Sequence, residues 1–166
     1  MPIIDGMLQE LEQEAATTRR VLERVPNDHL AWRPHEKART LGELSHHVAT
    51  VPGAVAHLVA SQTTVQAPQF KDPQLQNASE LLPMLDDSIA KAKKALSGMS
   101  DSDLMATWRM MQGEREILAI PRVAMLRTVM LNHWYHHRGQ LSVYLKQLDV
   151  PIPSIYGPSA DENPFT

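Results

Sequence analysis

The stretch LNHWYHHRGQL, residues 131–141, places three histidines within five positions, beside two aromatics and an arginine. Either it is the ligand face of a metal site, or it is a helix whose imidazoles are held by hydrogen bonds. Leu126, Met130, His133, His137, Gln140 and Tyr144 follow one another in steps of four and three, the spacing of an inward bundle seam. His133 and His137 take seam positions where leucines ordinarily sit. Four residues apart, their rings share a face. That geometry lets one helix offer two imidazoles to a single ion. His136 falls beside the seam. The spacing predicts a helix from Pro121, a favourable first position, to about Leu148, where DVPIP stops it.

A third ligand is needed to hold an ion firmly, and SHHVA supplies two candidates. Thr40 and Glu43, in TLGE, form a capping-box signal for the helix that carries them. Leu41, Leu44, Val48, Val51, Val55 and Leu58 make its buried stripe. His47 borders that stripe, whereas His46 points further toward solvent. Pro52 has no N–H for the carbonyl of Val48, so a kink or bulge is expected there, one turn from His47. The competing reading is a set of hydrogen-bonded core histidines. Each ring has two nitrogens to satisfy, and leaving one unpaired costs roughly 1–3 kcal/mol. Spacing alone leaves the metal site and the hydrogen-bonded core evenly matched. His29, His35 and His57 show no pattern and read as surface or structural residues.

Outward from these helices, periodicity predicts a first helix over Ile4–Val25 and a third over Ser79–Leu96, capped by Asn77 or Ser79. Short alternating runs at Thr107–Met111 and Glu116–Ile120 flank Gly113 and predict a small β-hairpin. The expected fold is all-α: a four-helix bundle with that hairpin between helices three and four, and an extended C-terminal tail. Residues 1–166 form one domain, with 151–166 as a proline-rich arm. The chain has no cysteine, which excludes disulfides and thiolate ligands, so any thiol must arrive as a substrate. No leader or membrane span is evident, and a cytoplasmic location is expected. A net charge of −3 argues against nucleic acid as a partner, leaving only a local patch of Arg122, Arg127 and Arg138 to consider.

Other residues carry open alternatives. Trp134 and Tyr135 could shape a pocket, pack the core or contact a second copy. Gly139 could admit a neighbouring helix or the tail. Arg138 could bind an anionic substrate or pair with a surface carboxylate. The nine methionines read as core filler. Glu43 is a capping residue before it is a general base. Tyr156, Asp161 and Glu162 could fold over the mouth of the bundle.

TLGELSHHVATVPG together with LNHWYHHRGQLSVYLKQLDVPIPSIYGPSADE resembles the DinB/YfiT-like metalloenzyme family, in order and over nearly the whole chain. The resemblance implies a four-helix bundle with a divalent metal on three histidines, here His47, His133 and His137. It also implies a homodimer. Zn²⁺ or Ni²⁺ suits three imidazoles, with Mn²⁺ or Fe²⁺ as further candidates. The family includes enzymes that activate a low-molecular-weight thiol, such as bacillithiol S-transferases and mycothiol-dependent maleylpyruvate isomerases. The expected function is therefore a metal-dependent enzyme acting on a small molecule, by S-transfer or hydrolysis. The alternative is a metal-stabilised dimeric ligand-binding or scaffold protein without turnover.

Overall fold

Thr40 opens the helix around which the others pack. Its Oγ1 accepts from the Glu43 N–H at 3.1 Å, and Glu43 Oε2 accepts from the Thr40 N–H at 2.7 Å. The capping box read from TLGE is therefore formed. A computed structural model of the chain describes residues 2–69 and 73–165. The helices are α1 (Ile3–Leu22), α2 (Leu41–Ser61), α3 (Leu81–Leu96), a short α4 (Asp101–Met105), α5 (Arg122–Met125) and α6 (His133–Gln147). A π-helical segment, Leu126–Asn132, joins α5 to α6, so the last helical rod is continuous from Arg122 to Gln147. Strands β1 (Thr64–Gln66), β2 (Thr107–Gln112) and β3 (Arg115–Pro121) form one small sheet.

The hairpin is present as β2 and β3. Gly113 takes φ +61° in the two-residue turn, where a tight hairpin needs a positive angle. The sheet also holds β1, parallel to β2 with Val65 opposite Met110, which the sequence reading omitted. Three residues give too little alternation to be read locally. Several boundaries also differ: the third helix, expected from Ser79, starts at Leu81 after a 3-10 turn over Ala78–Glu80 capped by Asn77. The chain leaves the first helix at Leu22 rather than Val25. Pro121 ends β3 and caps the last rod instead of starting it, because strand pairing with Thr107 holds it extended.

Contacts at the helix ends fix the topology. The Ile3 N–H donates to Asp101 Oδ1, placing the start of α1 beside the end of α3. Arg122 Nε donates to the Val59 carbonyl, placing the start of the last rod beside the end of α2. The Ala78 N–H donates to Asn27 Oδ1, placing the entry to α3 beside the exit from α1. Thus α1 and the last rod run one way, and α2 and α3 the other. The long connection 62–80 carries the chain back so that α2 and α3 lie parallel. Among the described residues, no helix is long and apolar enough to cross a membrane.

The core runs along α2. Leu41, Leu44, Val48, Val51 and Val55 are buried as the stripe predicted, while Leu58 is only half-buried. The helix passes through Pro52 without ending. The carbonyl of Val48, deprived of its usual donor, accepts from Trp134 Nε1 at 2.7 Å. One residue on, the Gly53 N–H turns out of the helix to Ser88 Oγ on α3, at 2.8 Å. A Cβ at Gly53 would lie 2.6 Å from the Ser88 carbonyl oxygen, so this is the glycine that a close helix approach requires. Gly139 does not serve that purpose. It is exposed, and a Cβ there would meet nothing within 4 Å. Trp134 is wholly buried, so it packs the core as well as donating to Val48, and it does not line a pocket mouth.

Trp134→Phe keeps most of the packing but orphans the Val48 carbonyl, and is expected to destabilise the protein by about 1–3 kcal/mol in urea denaturation. Pro52→Ala returns a helical donor to that carbonyl. In the Pro52→Ala background the cost of Trp134→Phe should shrink measurably. An identical cost in both backgrounds would show that the hydrogen bond is not what Trp134 contributes.

Candidate metal centre

His47, on α2, and His133 and His137, one turn apart on α6, converge on one point. One ligand atom from each lies within 4.8 Å of the others. His47 Nε2 and His133 Nε2 are 3.1 Å apart. The three rings stand edge to face, with centroids 4.3–5.3 Å apart and interplanar angles of 75–85°. His47 and His137 are buried and His133 is partly open. His137 Nδ1 bonds to Gln140 Oε1 at 2.7 Å. Since the amide oxygen only accepts, Nδ1 carries the proton and Nε2 is left as the free lone pair. Gln140 stands three residues after His137, the reach of a helical neighbour. The seam expected through His133, His137, Gln140 and Tyr144 is not the buried face: Gln140 is exposed, and α6 buries Trp134, His137, Arg138, Leu141 and Leu145 instead.

Electrostatics disfavour the charged form of His133 and His137. Burial pushes the pKa of His137 down to about 4. The hydrogen bond to Gln140 opposes that shift, and the neighbouring His47, His133 and Arg39 add to it. Burial also lowers His133, again with help from His47, His136 and Arg39. Neutral imidazole is the form that ligates a metal. His47 Nε2 and His133 Nε2 are hydrogen-bonded in the ion-free chain, one as donor and the other as acceptor, and a cation that replaced the shared proton would take a lone pair from each. The donor set therefore fits a divalent ion, and no carboxylate joins the cluster among the described residues.

Residues 3–164 match the model of the DinB family. The chain belongs to that family. A curated relative is YrdA of Bacillus subtilis, 27% identical over 165 residues, covering 96% of this chain and 91% of YrdA. A DinB-like protein from Bacillus cereus has a similar solved structure. It has a TM-score of 0.71 and 24% identity, over 92% of this chain and 97% of that one. YfiT from Bacillus subtilis is described as a probable metal-dependent hydrolase with an unusual four-helix bundle topology. It has a TM-score of 0.65 at 15% identity, over 88% of this chain and 87% of that one.

The remaining DinB-chain candidates separate clearly from the cluster. His136 is exposed, although its ring lies 5.1 Å from that of His137. His46 is half-buried rather than turned to solvent, and its Nδ1 is enclosed without a hydrogen-bond partner among the described residues. His29 bonds to Asp28, and His35 accepts from the Lys37 N–H. Both carboxylate oxygens of Glu43 are engaged, one by the Thr40 N–H and the other by Gln74 Nε2, which removes it as a general base.

Arg138 is neither a substrate anchor nor a surface residue. It is 1% exposed and ion-paired with Glu14 at 2.6 Å. It also donates to Thr18 Oγ1 at 3.0 Å and to the Tyr156 hydroxyl at 2.5 Å. Tyr156 in turn donates to Glu14. Asp161 pairs with Lys146, and Glu162 with Arg20. The three tail residues thus latch the arm to α1 and α6 instead of closing over the bundle mouth. The supposed basic patch is absent for the same reason. Arg122 and Arg138 are buried, and Arg127 holds Glu10 with both terminal nitrogens.

In the metal-free protein, His137 should stay neutral until pH falls to about 4, against an ordinary value of 6.5. The unfolded chain then takes up this proton first, so stability falls as pH drops from 6.5 toward 4. Heteronuclear NMR of the ring nitrogens reads the titration. Gln140→Leu removes a bond that favours the charged ring and should move the midpoint lower still. A midpoint near 6.5 would contradict the enclosure of this ring.

Proposed function

We propose that the chain is a divalent-metal-dependent enzyme acting on a small molecule, with hydrolysis as its reaction. His47, His133 and His137 are the protein ligands in this reading. The observation that carries it is the convergence of three imidazoles from two helices, with no Asp, Glu or fourth His joining them among the described residues. Structural sites are usually closed by four protein ligands, whereas catalytic sites keep a position open. The description of YfiT as a probable metal-dependent hydrolase supports the same reaction class.

An ion bound there would lower the pKa of water, or of a thiol, entering its open positions. The protein's own contribution is positioning. Gln140 fixes the tautomer and the rotation of His137. Burial of His47 and His137 excludes water from two sides, while the partly open His133 marks the side from which a substrate approaches. No residue near the cluster is assigned as general base. Thiol transfer is the second reading. The absence of cysteine fits an external thiol but does not favour it over water. Zn²⁺ or Ni²⁺ suits the all-imidazole set best.

Elemental mass spectrometry of untagged protein tests the site directly. The expected result is about one ion per chain in the wild type and none in His47→Ala or His133→Ala. Metal-restored protein should then hydrolyse activated ester or amide substrates, with turnover lost in both variants. Turnover that appears only with an added low-molecular-weight thiol would select the transferase reading. Absence of metal after incubation with Zn²⁺, Ni²⁺ or Mn²⁺ would sink both readings.

A further inference from the structure

A second concavity lies between α2 and α3, with a volume of about 790 Å³, and none of the three clustered histidines lines it. Small-molecule sites typically occupy about 300–1,000 Å³. Its origin is local. The helices are pinned at Gly53 and Ser88, where Ser88 Oγ also donates to the Thr50 carbonyl at 3.1 Å. Beside that pin, Ala54, Ala60 and Ala95 have too little side chain to fill the space between the helices, and Met84 closes part of the wall. The lining is therefore largely apolar and open to solvent.

The rim is cationic. Its charged side chains are Lys91, Lys94 and Asp87, with His57 as a further polar group. Lys91 and Asp87 pair at 2.6 Å and cancel each other. The Lys94 ammonium has no such partner among the described residues. An apolar wall with one uncompensated cation at its edge suits a ligand of matching polarity. An apolar partner helix would leave Lys94 facing hydrocarbon, and a polycation would be repelled.

We propose that this groove is a binding site, separate from the histidine cluster, for a small anionic amphiphile. The anionic head sits on Lys94, and the hydrocarbon or aryl body lies against Ala54 and Met84. Burying such a body contributes about 25 cal/mol per Å² of apolar surface, and the head-to-lysine contact selects the sign of the charge.

Anilinonaphthalene sulfonate is the probe, with phenylnaphthylamine as its uncharged counterpart and dodecanoate as competitor. Fluorescence titration of the full chain should give saturable binding of both dyes, displaced by dodecanoate. Lys94→Glu should weaken the sulfonate roughly tenfold while leaving the uncharged dye within about twofold. Ala54→Trp should abolish binding of both, and His47→Ala should change neither. Ala54 and Lys94 are exposed, so circular dichroism is expected to show both variants folded. Three results would overturn the proposal. One is dye binding indifferent to Lys94→Glu and Ala54→Trp. Another is loss of binding in His47→Ala, which would move the dye to the histidine cluster. The third is a dimer in sedimentation velocity that Ala54→Trp dissociates, which would make the groove a contact between two copies.

Discussion

The hydrogen bond from Trp134 Nε1 to the Val48 carbonyl sets the register on which the rest of the site depends. Val48 follows His47 on α2, and Trp134 follows His133 on α6. One buried contact thus fixes the axial offset of the two helices at the level of the histidine pair. The bond exists because Pro52 withholds a donor from Val48. Without that proline, the carbonyl would be satisfied inside its own helix. The indole would then share that carbonyl with a helical donor instead of being its main partner. Proline, tryptophan and histidine pair are therefore parts of one arrangement.

A second lock sits on the far side of α6. Arg138 follows His137 and points away from the cluster, toward α1. Its guanidinium is wholly enclosed by Glu14, Thr18 and Tyr156, with the rings of Tyr135 and Tyr156 beside it. A buried ion pair is a weak source of net stability, because desolvation offsets most of the attraction. Its value here is specificity of position. The arm is tied to α1 and α6, and α6 is held in rotation about its axis by bonds on both faces. Just before the cluster, the rod widens into the π-helical segment Leu126–Asn132. Such wide turns shift the phase of everything that follows and are frequent at functional sites. Trp134 bonds to α2 and Arg138 to α1 just beyond that segment.

How much of this was legible follows from the range over which each signal acts. Capping boxes are local, so Thr40 and Glu43 could be read with confidence from four residues. The i, i+4 histidine pair is local too, and so was the missing donor at Pro52. What replaced that donor was not, since Trp134 lies 86 residues away. The same limit applies to β1, which exists only by pairing with β2, and to the parallel course of α2 and α3. Arg138 was misread because its partners come from α1 and the tail, and nothing near it in sequence announces a buried carboxylate. Gly139 was misread because a glycine within a helix signals a close approach without saying whether a neighbour is there. The short helix Asp101–Met105 had a readable signal, Ser100 followed by Asp103, which forms its capping box. Gln140 shows the middle case. Its spacing from His137 is local, but which atom it would hold depends on the ring's burial.

These locks bear on what the cluster is before any ligand arrives. A site assembled only by its ion would leave its histidines free to rotate and protonate in the empty state. Here each helix is held by contacts that involve no histidine: the capping box of α2, the indole bond, and the Arg138 network. The imidazoles are brought to within 4.8 Å of one another by the fold itself. Protonation offers little escape from that crowding, because burial disfavours the charged form of His133 and His137. In the ion-free chain His47 Nε2 and His133 Nε2 share a hydrogen bond at 3.1 Å, while Gln140 holds His137 Nδ1. The fold thus delivers three ring nitrogens to one partly open point, which is the condition under which a cation binds without first reorganising its ligands.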